Sequence, residues 1–164
     1  MANDSPDNFN IAVLTISDRG ASGEREVDGS GNAISELMVE EGYNLVQRGM
    51  VADEVPQISS ILREWSDSGD IDLIVTTGGT GLGPRDVTPE ATRAVVDIEA
   101  PGFGEAMRIQ TLQFTPFAML SRATAGVRSG CLIVNLPGSE KAVRETLAVA
   151  MPALAHGLAM VKGG

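Results

Sequence analysis

Three short apolar runs constrain this chain more than any other feature: Ile11-Ala12-Val13-Leu14-Thr15-Ile16, Ile71-Asp72-Leu73-Ile74-Val75-Thr76 and Cys131-Leu132-Ile133-Val134-Asn135-Leu136. The first is β-branched and shows no alternation of polar and apolar residues, so it suits a strand covered on both faces, as in a parallel sheet. A further strand is predicted over residues 44–51. Helical patterns separate the strands. Ala33, Ile34, Leu37 and Met38 share one face of a helix that Gly42 ends, and Val55, Ile58, Leu62 and Trp65 recur at helical spacing before Gly69. Asp53 is placed to cap that second helix. Thr88-Pro89-Glu90 reads as the N-cap, first-turn proline and first-turn acid of a helix running toward Ile98. Another helix is predicted near residues 104–112, followed by an irregular segment with Pro116, Ser121 and Arg122. A final helix begins near Glu140 and is expected to kink or divide at Pro152.

Strands alternating with helices imply βαβ units, and their right-handed crossovers place helices on both faces of the sheet. The expected fold is therefore α/β: a three-layer αβα sandwich with a mostly parallel sheet. At 164 residues the chain fits one domain. Residues 1–9 are expected to form a flexible tail and residues 10–164 the domain. The opening residues lack the basic start and apolar core of a signal peptide, and no apolar run is long enough to span a membrane, so the chain reads as cytoplasmic. Cys131 is the only cysteine and His156 the only histidine, which excludes an internal disulfide and a usual zinc site.

In parallel sheets ligands bind at the carboxyl ends of the strands. The loops leaving those ends are residues 17–30, Ala52-Asp53, residues 77–86 and Pro137-Gly138-Ser139. Thr77-Gly78-Gly79-Thr80-Gly81-Leu82-Gly83-Pro84-Arg85-Asp86 is the most glycine-dense, and glycine lets a backbone approach an anion and aim its N–H groups at it. The loop is not a P-loop, because no Lys-Ser/Thr pair follows, and Pro84 breaks the dinucleotide-binding pattern. Glycine serves sharp turns equally well.

Charge narrows the guest. With 12 Lys and Arg against 22 Asp and Glu, the formal charge of −10 rules out nucleic-acid binding by bulk attraction but leaves small anions. An acidic protein that binds polyphosphate needs local positive charge, and carboxylates holding Mg²⁺ would supply it. Asp53 and Asp86 are the candidates, although a lone aspartate at such a place is more often a cap or a solvated loop acid. Asp28 is a third candidate and could equally cap the first helix. Basic groups near the rim are Arg19, Arg85, Arg122 and Lys141. Lys141 lies in the first turn of the last helix, where the helix dipole disfavours a cation; a bound phosphate would explain it, and so would ordinary surface exposure.

Taken together the motifs resemble the MogA/MoaB family of molybdopterin adenylyltransferases, which includes the G domain of gephyrin. The matching segments are Thr15-Ile16-Ser17-Asp18-Arg19, Asp28-Gly29-Ser30-Gly31, Asp53-Glu54, Thr76-Thr77-Gly78-Gly79-Thr80-Gly81, Arg85-Asp86-Val87-Thr88-Pro89-Glu90, Pro101-Gly102-Phe103-Gly104-Glu105, Leu120-Ser121-Arg122-Ala123, Leu136-Pro137-Gly138-Ser139 and Pro152-Ala153-Leu154-Ala155-His156. They run in order along nearly the whole chain.

The resemblance implies a role in molybdenum cofactor biosynthesis: transfer of AMP from ATP to the terminal phosphate of molybdopterin, with Mg²⁺, in a homotrimer. The product would pass to a molybdate-inserting enzyme downstream. It also implies that Asp53 and Asp86 are the catalytic aspartates and metal ligands. Ser17, Asp18, Asp28, Thr77, Gly78, Gly79, Thr80, Gly81, Ser121, Arg122, Pro137, Gly138, Ser139 and Lys141 are then the candidate substrate-binding residues. The alternative is a carrier or scaffold module that binds molybdopterin without chemistry. The two aspartates favour an enzyme, because a pure binder gains nothing from carboxylates beside phosphates it must attract.

Overall fold

The computed structural model describes residues 4–164. Its sheet has six strands: β1 (Asn10–Ile16), β2 (Asn44–Val51), β3 (Leu73–Thr77), β4 (Ile98–Glu99), β5 (Ala125–Arg128) and β6 (Cys131–Leu136), in the order β2-β1-β3-β6-β5-β4. The first four in that order run parallel, β5 is antiparallel to β6, and β4 is antiparallel to β5. The helices are α1 (Asp18–Ala21), α2 (Gly29–Glu40), α3 (Val55–Asp67), α4 (Thr88–Arg93), α5 (Gly102–Thr111) and α6 (Glu140–Val161).

Alternate residues of each buried strand feed two cores. Ile11, Val13, Leu73, Val75, Leu132 and Val134 face one way, and Ala33, Ile34 and Met38 of α2 pack with them, as do Val143, Leu147 and Leu154 of α6. Ala12, Leu14, Ile74 and Ile133 face the other way, where Ile58 and Leu62 of α3 and Ala91 of α4 cover them. This is the three-layer αβα sandwich, and burial on both faces is why the central strands carry no polar stripe.

Four local expectations change. Within residues 1–9, Pro6–Asn8 form a 3-10 turn with no buried residue, and Phe9, directly before β1, is buried in the larger core; residues 1–3 lie outside the described residues. Thr88 does not cap α4 but lies inside it, with Val87 at the N-cap position, and α4 ends at Arg93 so that Ile98 can enter a strand. The region between α5 and β6 contains the antiparallel strand β5. Finally, α6 runs unbroken for 22 residues through Pro152. Both Pro152 and Ala148, whose carbonyl loses its intrahelical partner, are exposed, so that carbonyl is not stranded in the core. No helix among the described residues is long and apolar enough to cross a membrane.

Candidate functional site

Because β2, β1, β3 and β6 are parallel neighbours, the segments following them meet at one edge. Gly78 and Gly79, directly after β3, have φ of +103° and +68°. A Cβ on Gly78 would lie 2.2 Å from the Ile16 carbonyl oxygen, so this turn needs glycine for room as well as for its backbone angles. Buried Thr88 fixes the turn from below: its Oγ1 donates to the Gly78 carbonyl at 2.9 Å, and its amide donates to the Gly79 carbonyl at 3.0 Å. Thr77 Oγ1 donates to the Pro137 carbonyl at 2.6 Å, tying this turn to the one after β6.

These segments enclose a cleft of about 600 Å³ lined by Ser17, Thr77, Gly78, Gly79, Gly138, Ser139, Asp53 and Asp86, among others. Ser139 caps α6, its side chain accepting from the Ala142 amide at 3.2 Å, so the first-turn amides of a long helix open at the cleft.

Asp53 is not the cap of α3. That position falls to Glu54, with no side-chain hydrogen bond, and Asp53 Oδ2 instead accepts from the Asp18 amide at 2.9 Å. Asp18 Oδ1 in turn accepts from the Asp53 amide at 3.0 Å. On the other side, Asp86 Oδ2 accepts from the Gly83 amide at 2.8 Å. Each aspartate therefore has one oxygen anchored by a backbone N–H, while Oδ1 of each has no hydrogen-bond partner among the described residues. Burial raises the Asp53 carboxyl above its ordinary value, partly opposed by the Asp18 amide, and the charges of Asp18 and Asp86 add to the rise. Asp53 and Asp86 line the same cleft.

Carboxylate oxygens are the hard donors that Mg²⁺ prefers, and a pair with free Oδ1 atoms fits it. No group of three or more His, Cys, Asp or Glu residues able to hold a metal ion occurs among the described residues. A two-carboxylate site would leave the remaining positions to water and phosphate oxygens, which is the usual arrangement for Mg²⁺.

The other candidates divide. Asp28 caps α2 through the Gly31 amide at 3.0 Å, accepts from Thr15 Oγ1 at 2.6 Å and pairs with Arg48 at 3.1 Å, so it is fully engaged beside the cleft. Asp18 is held by Arg85. Lys141 is 86% exposed and lies 4.0 Å from Glu145, outside the cleft lining, so its place in the first turn is that of a surface lysine paired along its own helix.

Arg122 braces the glycine loop from outside. It donates to the Gly81 carbonyl at 2.8 Å and the Asp86 carbonyl at 2.7 Å, and it pairs with Glu90. Its amide also donates to the carbonyl of buried Thr80 at 2.8 Å. Ser121 and Pro137 line a second, apolar cleft of about 250 Å³ that shares Ser139 with the first. Arg25 and Val27 line the main cleft and were not singled out by sequence. They sit in a polar stretch without periodicity, so nothing in the spacing distinguishes Arg25 from Arg19.

Residues 12–156 match the family model described as "Probable molybdopterin binding domain". The chain is 44% identical over 157 residues to the molybdopterin adenylyltransferase of Helicobacter pylori strain J99, covering 94% of this chain and 89% of the relative. It is 44% identical over 140 residues to the enzyme of the same name from Escherichia coli K12, covering 84% and 71%. Among solved structures, the molybdopterin biosynthesis enzyme MoaB from Thermus thermophilus superposes with a TM-score of 0.89 at 48% identity, covering 95% of this chain and 98% of that one.

Proposed function

The chain belongs to the molybdopterin-binding domain family, and from that premise we propose that it transfers AMP from ATP to the terminal phosphate of molybdopterin. The observation that carries the chemistry is the pair of anchored carboxylates, Asp53 and Asp86, lining one cleft with the Gly78-Gly79 turn. Relatives of the same name and substantial identity support the same reaction.

A phosphate oxygen of molybdopterin attacks the α-phosphorus of ATP. The bond from that phosphorus to the oxygen bridging it to the β-phosphorus breaks, and pyrophosphate leaves with the electron pair. The nucleophile is already ionised near neutral pH, so the protein need not remove a proton; its task is to align two anions and offset their repulsion. Backbone amides of the Gly78-Gly79 turn and of the first turn of α6 would receive phosphate oxygens. Asp53 and Asp86 would hold Mg²⁺, which when bound neutralises phosphate charge. The anchoring amides of Asp18 and Gly83 keep the two carboxylates from rotating away. The apolar cleft beside Ser139 offers the walls a flat heterocycle requires.

Assembly as a homotrimer is part of this reading. Ile109, Leu112, Phe114, Phe117 and Met119 are exposed along α5 and the segment after it, an apolar surface that copies of the chain would cover. A molybdate-inserting enzyme would then consume the adenylylated product.

The test is pyrophosphate release from Mg-ATP in the presence of molybdopterin. Wild-type protein is expected to release it catalytically, and Asp86→Asn to keep its fold while turnover falls by at least about 10²-fold. Tight molybdopterin binding with no ATP consumption would instead establish a carrier.

A further inference from the structure

Arg85 is the side chain through which three of the four loops at this edge are joined. Its Nε donates to Asp18 Oδ2 at 3.0 Å and its Nη2 to Asp18 Oδ1 at 3.0 Å, a two-point grip on a carboxylate in the segment after β1. The same Nη2 donates to Glu54 Oε1 at 2.8 Å, in the segment after β2. Arg85 itself follows β3 and directly precedes Asp86.

Asp18 passes that grip on. Its Oδ1, one of the oxygens bound by the guanidinium, also accepts the Asp53 amide, while its own amide donates to Asp53 Oδ2. Asp53 is thereby held at both backbone and side chain by a residue that Arg85 holds. We infer that Arg85 is a positioning residue for Asp53, acting through Asp18, and that it fixes the geometry of the divalent-cation site without touching the cation or the phosphates.

Two further observations support this role. Arg85 does not line the cleft, whereas Arg25 does, so Arg85 is not the basic group offered to the nucleotide. Asp18, Asp53 and Asp86 also bring like charges together, and the guanidinium is the cation that offsets them. A bidentate guanidinium can hold a carboxylate in one orientation; a lysine, as a point charge, cannot.

This role rests on the reading of Asp53 as a metal ligand, and the experiment separates it from the reaction. The probe is Mn²⁺, titrated by calorimetry into the nucleotide-free full-length protein. Arg85→Gln is expected to weaken Mn²⁺ affinity by about 10–100-fold, the usual consequence of removing a residue that orients a ligand. Asp18→Asn should do the same, because Asn can still accept the Asp53 amide but no longer accepts two guanidinium bonds. The double variant should be no weaker than the poorer single one. Glu54→Gln strips the charge from the third guanidinium partner without touching Asp53, and its Mn²⁺ affinity should stay within about twofold of wild type.

Unchanged Mn²⁺ affinity in Arg85→Gln would overturn the proposal. So would additive losses in the double variant, or a loss in Glu54→Gln equal to that in Arg85→Gln. A rise in the KM for ATP with Mn²⁺ affinity intact would show that Arg85 contacts substrate directly. If Asp18→Asn does not fold, Arg85→Gln against Glu54→Gln still decides. Should wild-type protein bind Mn²⁺ yet release no pyrophosphate, adenylyl transfer fails as a reading while the positioning role is still judged by these affinities.

Discussion

Replacing Gly78 by alanine puts a methyl group where the backbone leaves no space. The new Cβ would stand 2.2 Å from the Ile16 carbonyl oxygen, at a φ of +103°. Backbone angles of that kind cost an L-residue about 1–2 kcal/mol. Relieving the collision requires the end of β1 and the turn after β3 to separate by about 1 Å, and forced expansion of a packed region costs about 1–3 kcal/mol more. Gly78→Ala is therefore expected to lose about 2–5 kcal/mol, which for a chain of this size lowers the thermal midpoint by about 4–20 °C. Gly69→Ala is the matched control: its φ is +79° but no atom lies within 4 Å, so only the angle term of about 1–2 kcal/mol applies. Urea titrations followed by circular dichroism give the two stabilities. Pyrophosphate release gives turnover, where a displacement of this size should cost Gly78→Ala about 10²-fold. A Gly78→Ala protein as stable as Gly69→Ala and fully active would refute the idea that the close approach to Ile16 sets the position of this turn.

Asp53→Asn should stabilise the protein near neutral pH while abolishing turnover. Burial, ahead of the neighbouring acids, raises the folded carboxyl, so its favourable contribution is present below the ordinary carboxylate range and lost as pH rises through the raised value. The gain in melting temperature should accordingly shrink as pH is lowered toward about 4. Asp67 behaves with the opposite sign. Hydrogen bonds from Arg128 and Ser129 lower its carboxyl, so Asp67→Asn should melt below wild type at pH 7, with the difference closing as pH falls below the ordinary carboxylate range. Asn135→Ala removes a fully buried amide that donates to Thr76 Oγ1 at 3.1 Å and Thr92 Oγ1 at 3.0 Å; orphaning those groups should cost about 2–4 kcal/mol in chemical denaturation.

The parallel strands were legible, including β2, which was bounded at residues 44–51 although most of it is exposed. β6 is buried at every position and was bounded correctly by hydrophobicity alone. β5 and β4 were not legible: β4 has two residues, both exposed, and β5 carries Gly126, a poor strand former. That glycine is required by crowding, since a Cβ there would meet Val96 Cγ1 at 2.6 Å and the Ile98 carbonyl at 2.7 Å. At the edge of the sheet, sequence order and glycine density brought Asp53, Asp86 and the turn at residues 78–79 to one place. What spacing could not reveal was which oxygen each acid leaves free, because that depends on amides contributed from other loops. Lys141 stayed open between phosphate and surface for a related reason: its helical position could be read, but its outward direction could not.

The turns after β3 and β6 touch one another. A Cβ on Gly138 would come 3.3 Å from Gly78 Cα, and the Gly78 amide donates to the Leu136 carbonyl at 3.2 Å. Two strand-to-helix connections locked together in this way leave neither free to change length where they touch. An inserted residue in one would have to be swallowed by the other or would prise the cleft open. Length variation among related chains should therefore be exported to stretches away from the cleft, such as the exposed turn at residues 68–70, while these paired turns keep a constant count.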